Sequence, residues 1–67
     1  MAIAKVIEVI AESDESFQDA VDNALREASK SVDNIQSIWV DNQTAVVEDG
    51  EIDAYRVNCK VTFVVDA

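Results

Sequence analysis

The sequence predicts an α+β chain of order β-α-β-β, with a three-stranded antiparallel-type sheet and one helix packed on one of its faces. Three patterns predict it. Residues 52–65 alternate apolar and polar side chains, and residues 17–32 repeat apolar side chains every three or four positions. Asp49-Gly50 joins two strand-like runs. The 67 residues are read as one domain, 1–67.

The first strand is read at 3–11, where β-branched side chains dominate. Ile3, Ile7 and Val9 would lie on one face, and Val6 and Ile10 on the other, so this strand is expected to be buried on both sides or nearly so. Ser13 is the candidate N-cap of the helix. Asp14 and Glu15 follow it, where carboxylates favour the positive end of the helix dipole. Phe17, Ala20, Val21, Ala24, Leu25, Ala28 and Val32 make one apolar stripe across about 18 residues, and Asp33-Asn34 is read as its end. The alanines in that stripe would let the helix lie close to the sheet.

Two further strands are read at 36–47 and 52–65. The last one sets Tyr55, Val57, Cys59, Val61, Phe63 and Val65 on one face, and Arg56, Asn58, Lys60, Thr62 and Val64 on the other. In the strand before it, Ile38, Val40 and Val46 oppose Ser37, Trp39, Asp41, Gln43 and Ala45. Asp49-Gly50 fits a type I′ turn, which needs positive φ at both central positions. A lone helix covers one face of the sheet. The other face would expose Trp39, Ala45, Val64 and part of strand one, and a contiguous patch of that kind marks an interface.

Size points the same way. A chain of 67 residues buries about 60% of its unfolded surface, and one small core supplies roughly 3–5 kcal/mol. Cys59 is the only cysteine, so no disulfide can form within the chain. With no histidine and one thiol, a structural zinc site is not expected. Association of identical copies is the remaining source of stability.

The net charge of −9 argues against nucleic acid and against an anionic membrane surface, since both require clustered Lys and Arg. No apolar run approaches the ~20 residues of a membrane span, and the opening Met1-Ala2-Ile3-Ala4-Lys5, short and soon charged, is not expected to act as a signal peptide. A cytoplasmic location is expected. Catalysis is not: there is no histidine, no glycine-rich phosphate loop and no nucleophile elbow. Cys59 falls between Val57 and Val61 on the helix-facing side, where a cysteine acts as a small hydrophobe.

Several stretches, taken in order, resemble the dodecin family, small βαββ proteins that assemble as hollow dodecamers. They are Lys5-Val6-Ile7-Glu8, Ser13 with Ser16-Phe17, and Ala24-Leu25-Arg26-Glu27-Ala28. Ser31-Val32-Asp33-Asn34-Ile35, Tyr55-Arg56-Val57 and Val61-Thr62-Phe63 complete the set. The resemblance implies a homododecamer of identical subunits that binds and stores a small ligand, and in the family that ligand is a flavin of the riboflavin/FMN type. Typical members stack the flavin ring on a tryptophan of the second strand and hydrogen-bond it through a glutamine of the third. Ser37 stands at the tryptophan position and Arg56 at the glutamine position. Serine offers no stacking surface, and arginine has donors but no acceptor. Trp39, two residues on and of the same parity, would either stack a ligand from a shifted position or fill a subunit interface.

This pattern also resembles a second branch of the family, described as calcium dodecins that lack flavin. It implies an alternative ligand, a divalent cation such as calcium or magnesium. The stretch from Asp41 to Asp53 offers Asp41, Glu48, Asp49, Glu51 and Asp53 and no base, and hard cations take several carboxylate and carbonyl oxygens. The same acids would equally serve as solvated turn residues. A purely structural oligomer is the third reading. Twelve copies at −9 would carry roughly −100 and attract cations through their overall field.

Overall fold

The computed structural model describes residues 2–66. Its elements are β1 (Ala2–Ser13), α1 (Phe17–Ala28), β2 (Ile35–Glu48) and β3 (Glu51–Asp66). The order is the expected β-α-β-β. The sheet is antiparallel throughout and runs β1-β3-β2, so the last strand is its centre. The cross-register fixes which side chains share a face, because directly paired residues point the same way.

The helix begins later than its first capping candidate. Ser16, with extended backbone at φ −168° and ψ 165°, is the N-cap, and its hydroxyl accepts from the Asp19 amide at 2.9 Å. Ser13 is instead the last residue of β1, and it is buried. Its Oγ accepts from the Glu15 amide at 2.9 Å and donates to Asp19 Oδ2 at 2.6 Å. Ser13 thus holds the strand-to-helix turn in which Ser16 caps. Asp14 and Glu15 lie in that turn, and Asp19 supplies the acid of the first helical turn.

The helix is also shorter than its apolar stripe. It ends at Ala28, with Ser29 as C-cap. The Lys30 and Ser31 amides bond three residues back, to Glu27 and Ala28, and tighten the chain into turns. Ser29 Oγ donates to the Leu25 carbonyl at 2.7 Å, the kind of local bond by which serine competes with helix continuation. Asn34 then takes φ 60°, a left-handed conformation that asparagine tolerates. Its carbonyl accepts from the Val64 amide and ties the connection to the end of β3.

The core is small. Ala20 and Ala24 press against Val57 and Cys59, with Val9, Ala11, Phe17, Val21, Ile38 and Val40 packed around them. Val57 and Val61 are the largest fully buried side chains. Phe17 meets Tyr55 edge to face, with ring centroids 5.0 Å apart, and closes the helix start onto β3. Leu25 belongs to the stripe by spacing, yet it sits at the margin and is exposed.

β1 is an edge strand, and in the single chain Val6 and Ile10 are exposed on the face away from the helix. This departs from the expected two-sided burial. The near-continuous apolar run of β1 reads like a central strand, whereas the cleaner alternation of β3 occupies the centre.

β2 departs from simple alternation. Its register shifts between Ile35 and Ser37, between Val40 and Asn42, and between Val46 and Val47. Each one-residue slip moves the following side chains to the other face. Ile38 and Val40 face the helix as expected, paired with Val61 and Cys59. Beyond the second shift, Ala45 pairs with Tyr55 and Val46 with Ala54. Ala45 therefore lies on the helix-side parity and Val46 on the back, the reverse of the reading from alternation.

The Asp49-Gly50 turn is as expected, with φ of 52° and 77°. Because β1 stops opposite Tyr55, residues 46–54 continue as a two-stranded arm. The chain measures 52 × 18 × 14 Å, and its radius of gyration of 13.7 Å exceeds the about 11 Å of a compact chain this long.

Candidate functional site

The sheet face away from the helix carries the predicted ligand residues, and the register sets them in rows. Val6, Thr62 and Ser37 form one row, and Glu8, Lys60 and Trp39 the next. Ile10, Asn58 and Asn42 follow, then Glu12, Arg56 and Thr44. The exposed apolar residues of this face are separated by hydroxyl, amide and charged side chains. The face is thus a mixed, polar surface, where a continuous apolar patch was expected. Its charged residues in these rows, Glu8, Glu12, Arg56 and Lys60, balance, although the whole chain carries −9.

Ser37 and Trp39 share this face with Arg56, but they do not meet it within one chain. Ser37 pairs with Thr62, and Trp39 with Lys60. Along β3 these partners lie six and four residues from Arg56, roughly 20 and 13 Å at the rise of a strand. Trp39 is 60% exposed, and Lys60 Nζ sits 4.9 Å from its ring centroid. That cation–π pair contributes about 0.5–1 kcal/mol at an exposed position. Arg56 is tied elsewhere: its Nε and Nη2 both reach Glu12 Oε2 at 2.7 Å. With side chains 43% and 46% exposed, this ion pair contributes at most about 1 kcal/mol. Its main effect is to fix the guanidinium across β1 and β3.

Reading strands one at a time missed Glu12 and Lys60 as partners. A signal for both was present in the sequence. Glu8 and Glu12 are four residues apart, as are Arg56 and Lys60, so one antiparallel register matches both pairs of opposite charges.

The candidate cation ligands fall on β2 and on the arm. Asp41 lies in the β2 shift between Val40 and Asn42, and Glu48 pairs with Glu51 across the turn. Asp49 is in the turn, and Asp53 falls at the arm's own register shift. Among the described residues of one chain, no group of three His, Cys, Asp or Glu side chains comes together as a metal ion requires. Within one chain a cation here would have to complete its shell with backbone carbonyl, amide or water oxygens.

Burial pushes the Cys59 thiol above its ordinary pKa and so disfavours the thiolate. At the far end of the sheet an open groove of about 340 Å³ lies between Ser31–Asn34 and Phe63–Asp66. Among the described residues, no helix is long and apolar enough to cross a membrane.

A family model described as Dodecin matches residues 3–66, nearly the whole chain. The chain belongs to the dodecin family. Solved dodecins share its fold over almost their full length. Dodecin from Streptomyces davaonensis is 26% identical, with a TM-score of 0.92 over 98% of this chain and 97% of its own. A Thermus thermophilus protein superimposes with a TM-score of 0.93 over 100% and 98% of the two chains, at 21% identity, which speaks to fold alone. The calcium-chelating calcium dodecin of Mycobacterium tuberculosis, described as having a novel calcium-binding site, is 33% identical. It aligns with a TM-score of 0.82 over 91% of this chain and 87% of its own. No curated protein sequence matches the chain. The rows on the back of the sheet carry Ser37, Arg56 and Trp39, the residues expected from the sequence to face a flavin.

Proposed function

We propose that the chain is one dodecin-like domain, the subunit of a homododecameric particle that binds and stores a small ligand and performs no catalysis. In this reading the ligand is a divalent cation, calcium or magnesium, and acids from more than one copy complete its site. The observation that carries the choice of ligand is the pairing of Arg56 with Glu12 at 2.7 Å, with Ser37 set opposite Thr62. One flavin position offers a guanidinium already held by a carboxylate, and the other offers no ring. Identity of 33% with a calcium dodecin supports the same choice. A cytoplasmic setting goes with it, supported by the unpaired, buried Cys59 thiol.

The test has two parts. Light scattering on a sizing column gives the assembly, with a multiple of 7.3 kDa near twelve expected. Calorimetry with calcium, at an ionic strength that screens the general field of the shell, is expected to give a saturable heat. That heat is expected to disappear in Glu48→Gln or Asp49→Asn. Its absence in the unaltered protein would remove the cation reading.

Trp39 supports a second reading, in which flavin is still the ligand. It is largely exposed on the same face as Ser37, two residues along, and offers one aromatic surface. Quenching of added riboflavin fluorescence by the protein would favour this reading. Unquenched flavin and colourless protein would exclude it.

A further inference from the structure

The end of the sheet opposite the arm holds a groove that neither ligand reading uses. One wall is the stretch that leaves α1 and enters β2, and the other is the end of β3. The two walls are tied together. The Val64 amide donates to the Asn34 carbonyl at 3.1 Å, and Asn34 Nδ2 donates to the Val64 carbonyl at 3.4 Å. The groove is therefore formed by the fold itself, before any ligand arrives. Its volume of about 340 Å³ lies at the lower end of the range for small-molecule sites, roughly 300–1,000 Å³.

The lining offers two kinds of surface. Val32, Phe63 and Val65 are apolar, and Asp33 and Asp66 add two exposed carboxylates. No Lys or Arg lines the groove. The nearest base along the chain, Lys30, is held by Glu27 at 3.1 Å, and Lys5 pairs with Phe63 from β1 but stands outside the lining. The two ion pairs among the described residues use neither Asp33 nor Asp66. An anionic ligand would meet two like charges on a chain of net charge −9. A hard metal ion would find only two carboxylates beside apolar side chains, short of the oxygen shell it takes. An organic cation answers both surfaces. Its apolar body covers the valines and Phe63, and its ammonium group donates charge-assisted hydrogen bonds to the carboxylates.

We propose that this groove binds a small organic cation, a primary amine with an apolar body, through Asp33 and Asp66. The site is separate from the acids of the arm, which lie about twelve residues away along β3, roughly 40 Å. It goes beyond the metal-cation reading, and the calcium titration described above reads the arm alone. Failure of one is therefore distinct from failure of the other.

Saturation-transfer NMR on the full protein tests it, at about 0.15 M salt, where the Debye length is short. The probes are n-hexylammonium, 1-hexanol and hexanoate, which have the same chain length and differ in charge. Hexylammonium is expected to bind saturably and at least about tenfold more tightly than the other two. Asp33→Asn combined with Asp66→Asn is expected to bring it within about twofold of hexanol, with circular dichroism checking that the fold is kept. Glu48→Gln combined with Asp49→Asn removes the same number of charges from the arm and is expected to leave the preference unchanged. Equal binding of the three probes would overturn the site. So would an ammonium preference that survives the Asp33 and Asp66 substitutions, or one that falls equally in the arm variant, since either result assigns it to the overall field of the protein.

Discussion

Ser13 donates its hydroxyl proton to Asp19 across 2.6 Å, and this bond joins the last residue of β1 to the first turn of α1. The same oxygen accepts from the Glu15 amide. One buried hydroxyl thereby organises the turn whose geometry lets Ser16 cap the helix. Ser13→Ala is expected to destabilise the fold by about 1–3 kcal/mol, because it removes both hydrogen bonds of a buried hydroxyl at once, the one accepted from the Glu15 amide and the one donated to Asp19. Ser16→Ala, which removes only a cap, is expected to cost about 1 kcal/mol. Urea unfolding at fixed protein concentration would rank the two, and equal midpoints would contradict this division of roles.

Ala20 and Ala24 have no exposed surface and lie against Val57 and Cys59. The helix sits close to the sheet because these positions lack larger side chains. Ala24→Leu is expected to push α1 off β3 and to cost at least about 1–3 kcal/mol by overpacking. Leu25→Ala, one position away but exposed, is expected to change stability far less. Paired denaturation curves of the two variants check this.

Gly50 has φ 77°, and a Cβ there would meet nothing within 4 Å. Gly50→Ala therefore costs backbone strain alone, about 1 kcal/mol. Asp49→Asn keeps a residue that tolerates positive φ and is expected to be neutral in stability. A thermal scan of both variants distinguishes conformational strain from lost packing.

Burial raises the Cys59 pKa above its ordinary value of 9.0. The folded state therefore disfavours the thiolate. Its contribution is unaffected below the unfolded pKa, and stability declines as pH rises through 9.0 towards the folded pKa, because the unfolded chain ionises first. The thiol is expected to react with Ellman's reagent at pH 8 only slowly in the native protein and rapidly in urea. Cys59→Ala is expected to remove the part of the alkaline loss that belongs to this group.

The family resemblance implies that Ser37 and Arg56 stand where flavin-binding members carry tryptophan and glutamine, and Ser37→Trp combined with Arg56→Gln tests that alignment. The double variant is expected to gain riboflavin binding, read as fluorescence quenching that the parent lacks. Arg56→Gln alone breaks an exposed ion pair with Glu12 and is expected to cost no more than about 1 kcal/mol. Failure of the double variant to bind flavin would show that Ser37 and Arg56 do not mark the flavin positions.

Element order, the apolar stripe of α1 and the Asp49-Gly50 turn were legible in the residues because each depends on neighbours close along the chain. The alternation of β3 likewise announced which of its side chains would meet the helix. Other features depended on partners far away in sequence. Ser13 and Ser16 are both acceptable caps locally, and the Asp19 side chain and the end of β1 divided their roles. Val32 continues the helical spacing, yet the chain leaves the helix at Ala28 so that Asn34 can bond Val64 on β3. The central place of β3, the shifts that exchange the faces of Ala45 and Val46, and the roughly 20 Å between Ser37 and Arg56 were decided only by strand pairing. The physical reason is range: periodicity records which side of an element is apolar, whereas register and strand order are set by hydrogen bonds between residues brought together only when the chain has folded.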